Sequence, residues 1–410
     1  MRYRRWSMAS TVAWLLVGGL GIAVRERWAP PAALVALRDY GASDSTVALL
    51  LSALPALASL LLVPAVGLRS DRSRTRLGRR RPWLLLCAPL AGLAMLGAAG
   101  ATGATWFCLC WALFDAAAAC TAALFAGLVN DVVPRAFLGR FYALNRIVGL
   151  GMAIVFNTTL LARTDSSLRA ILVAIAAVCA LAIPLMCLRV KEQPADQRDL
   201  VAALPRPPAR GTLAACLAQH GSAWAFAPFM LAAAAFGPFN TFSQNYALDL
   251  GVGKTEFGDL TAAGYAVSIA SAFTIGALAD RFGALRVAAS ALVLYAPIAL
   301  AGSLLVVDAA GFRCFYLAHV ILSGAYFTAA AALPAALFPQ AEFVRYLACK
   351  DSLVAVATLV VGGAAGPLLD LSGHAYRLTL GGAALFSLAC LVCFGRLLLP
   401  DTLNTQPATP

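Results

Sequence analysis

Charge is scarce in this chain. Of its 410 residues only 12% are Asp, Glu, Lys or Arg, about half the share of an ordinary soluble domain. Histidine is scarcer still: His220, His319 and His374 are the full set, and none has a partner at metal-ligand spacing. A glycine-rich P-loop, a Gly-x-Ser-x-Gly nucleophile elbow, a zinc-type His-x-x-x-His and any extended hydrophilic domain are also missing. These absences exclude the common signatures of nucleotide-dependent, hydrolytic and zinc chemistry. No enzyme activity, metal or cofactor is expected.

Apolar residues, by contrast, make up 61% of the chain. A soluble fold cannot hide so much apolar surface, and runs of about 20 residues, the length of helix that crosses a bilayer, recur along nearly the whole sequence. The runs are continuous rather than alternating, which predicts spanning helices and not a barrel. The net charge of +12 is not a nucleic-acid footprint, because most Arg and Lys lie in short loops between runs, where they set orientation. Cys108-x-Cys110 and Cys390-x-x-Cys393 sit in apolar sequence without a second ligand pair and read as packing residues. Arg2, Arg4 and Arg5 ahead of the first run imitate a signal peptide. No small-residue cleavage site follows, so that run is expected to persist as a helix.

The runs predict an all-α membrane protein of twelve helices. They begin near Met8, Thr46, Pro82, Trp106, Phe141 and Leu168, then near Ala223, Glu256, Ala284, Phe312, Tyr346 and Tyr376. Arg69 to Arg81, Arg135, Arg140, Arg189, Lys191, Arg281, Arg286, Arg345 and Arg396 all fall on one side of this topology. That bias places both termini in the cytoplasm. Residues 1–190 form the first six-helix bundle, 191–221 a proline-rich cytoplasmic linker, 222–400 the second bundle and 401–410 a tail.

Internal echoes support the two halves. "GLRSDR" at Gly67 returns as "GALADRFG" at Gly276, "VPRAFLGRFYALNR" at Val133 as "FPQAEFVRYLACKD" at Phe338, and "RWAPP" at Arg27 as "AFGPF" at Ala235. The three offsets, 209, 205 and 208, are nearly one spacing, the mark of pseudo-symmetric repeats in transporters. The last echo sets Arg25, Glu26 and Arg27 opposite Ala233, Ala234 and Ala235. Those alanines lie in an unbroken apolar run, so helix 1 is expected to continue through the charged triplet to about Ala36. The alternative is a helix ending at Val24 and a hydrated loop.

"GLRSDRSRTRLGRRRPW", Gly67 to Trp83, resembles the loop between helices 2 and 3 of the major facilitator superfamily, most like its glycoside–pentoside–hexuronide cation symporters and sucrose–proton symporters. The resemblance implies two six-helix bundles and a cytoplasmic gate formed by Gly67, Asp71, Arg72, Gly78, Arg79 and Arg80, with Asp280, Arg281 and Gly283 as counterpart. Guanidinium groups suit that task, since they pair bidentately with carboxylates and bind helix C-termini. "FDAAAACTAALFAGLVND" is similar to helix 4 of the sucrose–proton symporters, with Asp115 and Asp131 at the family's sixteen-residue spacing. This implies a proton-coupling role for Asp115. Between the two acids the relatives carry amides, Gln-Gly-Pro and an arginine, whereas this chain has mainly alanine and Ala126 in the arginine's place. The resemblance therefore does not carry sucrose itself.

An ionisable group at mid-membrane costs at least about 2.5–3.5 kcal/mol by insertion scales, so its default reading is functional. Asp115 and Glu26 are the candidate proton carriers, with Glu26 expected to balance Arg25 or Arg27. Arg25, Arg27 and Arg146 are candidate substrate contacts. Polar stripes add Asn240 and Gln244 on helix 7, Tyr265 on helix 8, and His319 with Tyr326 on helix 10. Amides and aromatic rims suit a polyol, although the same residues serve helix–helix hydrogen bonding. The expectation is a monomeric secondary transporter in the lipid bilayer of the cytoplasmic membrane, moving a sugar or glycoside together with protons. An anionic solute such as a sugar acid and proton-antiport export stay open.

Overall fold

A computed structural model of the chain describes residues 8–73, 75–192, 222–338 and 343–399. The proline-rich part of the expected linker and the tail lie outside the described residues. Eleven helices are long and apolar enough to cross a membrane: α1 Met8–Asp39, α2 Asp44–Arg72, α3 Arg81–Ala99, α4 Ala104–Val132, α5 Phe137–Leu160, α6 Thr164–Arg189, α7 Ala223–Asp249, α8 Lys254–Phe282, α9 Ala284–Leu305, α11 Arg345–Leu371 and α12 Arg377–Leu398. Between them runs α10, Ala309–Ala330, whose hydropathy is lowered by Arg313, His319 and tyrosines 316 and 326. Eleven helices start within four residues of their predicted starts, the fifth begins at Arg135, six residues early, and no strand occurs among the described residues.

The duplication survives in three dimensions. Both ends of α8 lie 210 residues after those of α2. Within the first half α3 packs on α4 and α6 while α1 packs on α5 and α6. The second half repeats the pattern, α9 packing on α10 and α12 while α7 packs on α11 and α12. Single π-helical turns, which recur at functional positions, fall in corresponding helices: Phe156–Leu160 in α5 and Thr358–Gly362 in α11. A third occupies Leu49–Ala53 of α2.

The described residues divide into two compact units. One comprises residues up to 42 with 57–192. The other comprises 43–56 with 222–399, so the first part of α2 groups with the second half of the chain rather than with its own.

Helix α1 runs through Arg25, Glu26 and Arg27 and on to Asp39, with one turn-like interruption at Trp28. Pro30 and Pro31 cause the interruption. They have no N–H to donate and fit only the first turn of the helical segment that restarts at Ala29. Trp28 fixes the bend by donating its indole N–H to the Met152 carbonyl of α5 at 2.7 Å. The charged triplet therefore sits inside a helix, as the repeat predicted.

Candidate functional site

The braced cationic loop comes first along the chain. Arg79 Nη2 and Arg80 Nε both reach Asp131 Oδ2 at 2.8 Å, and Arg80 Nη2 lies 3.4 Å from Asp71 Oδ1. The backbone N–H groups of Arg79, Arg80 and Arg81 all donate to the Glu192 carboxylate, two of them at 2.8 and 3.1 Å. Four unpaired N–H groups open every helix, and here an acid from beyond α6 satisfies the start of α3. Arg81 in turn donates to the Cys187 carbonyl near the end of α6. One short loop thus ties α2, α3, α4 and α6 together.

Two glycines make this possible. Gly78 sits at φ 103°, a left-handed turn conformation, and a Cβ there would lie 2.5 Å from the Glu192 carboxylate. On α4, a Cβ at Gly127 would lie 2.2 Å from an Arg80 guanidinium nitrogen. Gly127 leaves the channel through which Arg80 reaches Asp131. Sequence reading singled out neither Gly127 nor Glu192, because nothing in their local sequence points to a loop 50 to 110 residues away. Arg72 is exposed and Gly67 half-buried on α2. In the counterpart, Asp280, Arg281 and Gly283 are all exposed, and Arg281 lies over the Phe282 ring. No ion-pair network forms there among the described residues.

The second feature is a buried ion pair. Arg25 Nη2 donates to Asp115 Oδ1 at 2.7 Å, joining α1 to α4 with side-chain exposures of 19% and 9%. Glu26, expected to balance its neighbours, instead points away: it is exposed and makes no ion pair among the described residues. The 100° step of the helix explains the difference, since adjacent residues face different directions and only Arg25 turns toward α4. A small cavity lies beside the pair, lined by Gly21, Ala88, Ala91, Ala118, Thr121 and Cys179. Asp115 Oδ2 is buried without a hydrogen-bond partner among the described residues. Arg27 is half-buried, and its charge acts on Arg146 of α5.

Polar residues of α7 and α10 form the third feature. His319 is buried, with Nε2 3.0 Å from Asn240 Oδ1 and Nδ1 2.9 Å from the Tyr295 hydroxyl. Phe236, Phe239, Phe315 and Tyr316 surround the ring. Tyr326 is buried against Phe236, and Gln244 is buried as well. Tyr265 is half-buried, whereas Asn240 is exposed. The stripe read along α7 and α10 is therefore mostly interior, with Asn240 at its open end.

A fourth cluster escaped sequence reading altogether. Asp370 accepts from the N–H groups of Asp44 and Ser45 at 2.9 Å each and from the Ser45 hydroxyl, capping the start of α2. Asp44 meets His374 Nδ1 at 2.7 Å and the Tyr376 hydroxyl at 3.2 Å. His374 has no partner at close spacing because its partner is 330 residues away. All these residues belong to the unit that contains residues 43–56.

Twelve long helices among the described residues, in two repeats and eleven of them apolar enough to cross a bilayer, define an integral, multi-pass membrane protein. The family model for MFS/sugar transport proteins matches residues 38–345, more than half of the chain. The chain belongs to that family of secondary transporters and is not an enzyme. No curated protein matches it. Among solved structures it is similar to the nucleoside transporter NupG, at 13% identity over 94% of this chain and 99% of that one, with a TM-score of 0.72. It is similar to a D-xylose-proton symporter at 14% identity, 97% and 99% coverage and a TM-score of 0.74. A bacterial homologue of the human lysosomal transporter Spinster, inward-facing and occupied, gives 15%, 96% and 97%, and 0.66. At such identities the likeness is one of fold.

Proposed function

We propose that the chain is a proton-coupled symporter of a small, hydroxyl-rich solute, a sugar or glycoside, acting as a monomer in the cytoplasmic membrane. Both termini lie inside, 1–190 and 222–400 are the two bundles, and transport proceeds by alternating access. The arginine distribution of the loops supports this orientation. The observation that carries the coupling is the Arg25–Asp115 pair, a buried carboxylate with one oxygen unpartnered beside a small cavity. A proton arriving at Asp115 cancels its charge and releases Arg25. Solute binding and helix movement are thereby linked to protonation. Glu26, exposed one residue on, is the second carrier in this reading.

Within the second unit Asn240 and Tyr265 serve as solute contacts; within the first, Arg27 and Arg146 do. The Gly67–Trp83 loop, braced by Asp131 and Glu192, acts as the inner gate, with Asp280, Arg281 and Gly283 as its weaker counterpart. The printed names of the D-xylose-proton symporter and the nucleoside transporter support a solute bearing a sugar ring. A sugar acid is the second reading, favoured by the two neighbouring guanidinium groups of Arg27 and Arg146.

A thermal-shift screen of sugars, sugar acids and glycosides identifies the solute, since ligands of the folded form raise the melting temperature. In proteoliposomes, Asp115→Asn is then expected to abolish uphill accumulation while preserving exchange of internal for external solute. Undiminished uphill accumulation by that variant removes Asp115 from the coupling mechanism.

A further inference from the structure

Tyr295, His319 and Asn240 form a chain of two hydrogen bonds from α9 through α10 to the exposed Asn240 of α7. Two proton arrangements fit these distances. In one, the Tyr295 hydroxyl donates to Nδ1, and Nε2–H donates to the Asn240 carbonyl oxygen. In the other, Nδ1–H donates to Tyr295, Nε2 accepts, and the Asn240 amide must turn its nitrogen inward.

Burial decides between them. Tyr295 is fully buried, and His319 is its only hydrogen-bond partner among the described residues. The second arrangement strands the phenolic proton in an aromatic interior, where an unmade donor shifts the population against that arrangement by roughly ten- to hundredfold. The first strands only a phenolic lone pair, the lesser loss. The ring of Phe239, edge-on to His319 with centroids 4.5 Å apart, and those of Phe236, Phe315 and Tyr316 pack around the imidazole, whose hydrogen-bond partners among the described residues are Tyr295 and Asn240.

We propose that Tyr295 and His319 are positioning residues that lock the Asn240 side chain with its oxygen inward and its NH2 outward, so that α7 offers two N–H donors to the solute. This point of the site then selects for acceptors: a ring oxygen, a carbonyl or a carboxylate. His319 touches no solute itself; it sets the polarity of the group that does. The proposal rests on the reading of Asn240 as a solute contact, but the lock is measurable without any solute.

With only three histidines in the chain, selective 15N labelling of imidazoles gives a sparse spectrum, and His319→Gln assigns the signal. At pH 7 in lipid nanodiscs His319 is expected as the neutral Nε2–H tautomer. In a second sample 15N-labelled at asparagine side chains, Asn240→Ser assigns the Asn240 amide. Tyr295→Phe, which keeps the buried ring and removes one oxygen, is expected to shift the His319 Nδ1 resonance and that amide signal, with the melting temperature little changed. An Nδ1–H tautomer, an imidazolium, or an Asn240 amide indifferent to Tyr295→Phe overturns the proposal. A parallel thermal-shift titration uses D-xylose, methyl β-glucoside and D-glucuronate. Tyr295→Phe is expected to weaken whichever of them binds by about tenfold, the worth of one misplaced hydrogen bond. If none binds the unmodified protein, the solute reading fails on that arm while the resonance data still decide the lock.

Discussion

Replacing Arg25 by Met and Asp115 by Asn, singly and together, tests whether the interior of the first half is held by charge pairing. Both substitutions nearly conserve volume, so the measured effect is electrostatic. The two groups lie 2.7 Å apart with side chains 19% and 9% exposed. Removing one member of such a pair leaves an uncompensated charge and typically costs about 3–5 kcal/mol, whereas neutralising both is often close to neutral. Each single variant is thus expected to lose about 3 kcal/mol, and the double variant less than about 2. The implied coupling exceeds the 0.5 kcal/mol within which independent sites add. Denaturant unfolding in mild detergent, followed by circular dichroism, measures all four corners of the cycle. Additive losses would refute the reasoning, because they would mean that water already screens the pair.

Three further outcomes follow from other parts of the molecule. Asp131→Ala removes the shared acceptor of Arg79 and Arg80 and is expected to cost about 2–3 kcal/mol, discounted because Arg79 is one-third exposed. Asp280→Ala, at the exposed counterpart, is expected to stay within about 0.5 kcal/mol in the same unfolding assay. A methyl group at Gly92 of α3 would lie 2.4 Å from the Ala180 side chain and 2.8 Å from the Ala176 carbonyl of α6, so Gly92→Ala should cost about 1–3 kcal/mol. Gly151→Ala meets nothing within 4 Å and should raise stability by about 0.8–1 kcal/mol; equal effects at the two sites would argue against the close α3–α6 contact. The hydrogen bond that His374 donates to the Asp44 carboxylate holds the imidazole above its ordinary range, with Asp370 and Asp249 adding to it. Stability from this contact is fully present below pH 6.5, the ordinary histidine value, and is lost as pH rises through the raised value. The melting temperature of the protein should therefore fall between pH 6 and 9 by a small margin that His374→Gln abolishes. A pH profile unchanged by that substitution would show that solvent screens the pair.

Number, length and order of the helices were legible in the sequence because each is dictated locally. A run of about 20 apolar residues has no stable place but the bilayer core, and only a helix satisfies its backbone there. The duplication was legible for the same reason, since it is written as recurring motifs at one spacing. Even the path of α1 through Arg25–Arg27 followed from the repeat. What sequence could not supply was partnership. It set Glu26 beside Arg25 as the natural counter-charge, but helical geometry turns Arg25 toward Asp115, ninety residues on. It left His374 without a partner and gave no role to Glu192 or Gly127, since the groups they meet are brought together only by packing. It left the His319 stripe open between solute lining and helix–helix bonding, and burial makes most of it interior while Asn240 is exposed. Spacing along a chain encodes which way a backbone must fold. Which charge neutralises which depends on the rotation and depth of each helix, and these are fixed only when the helices pack.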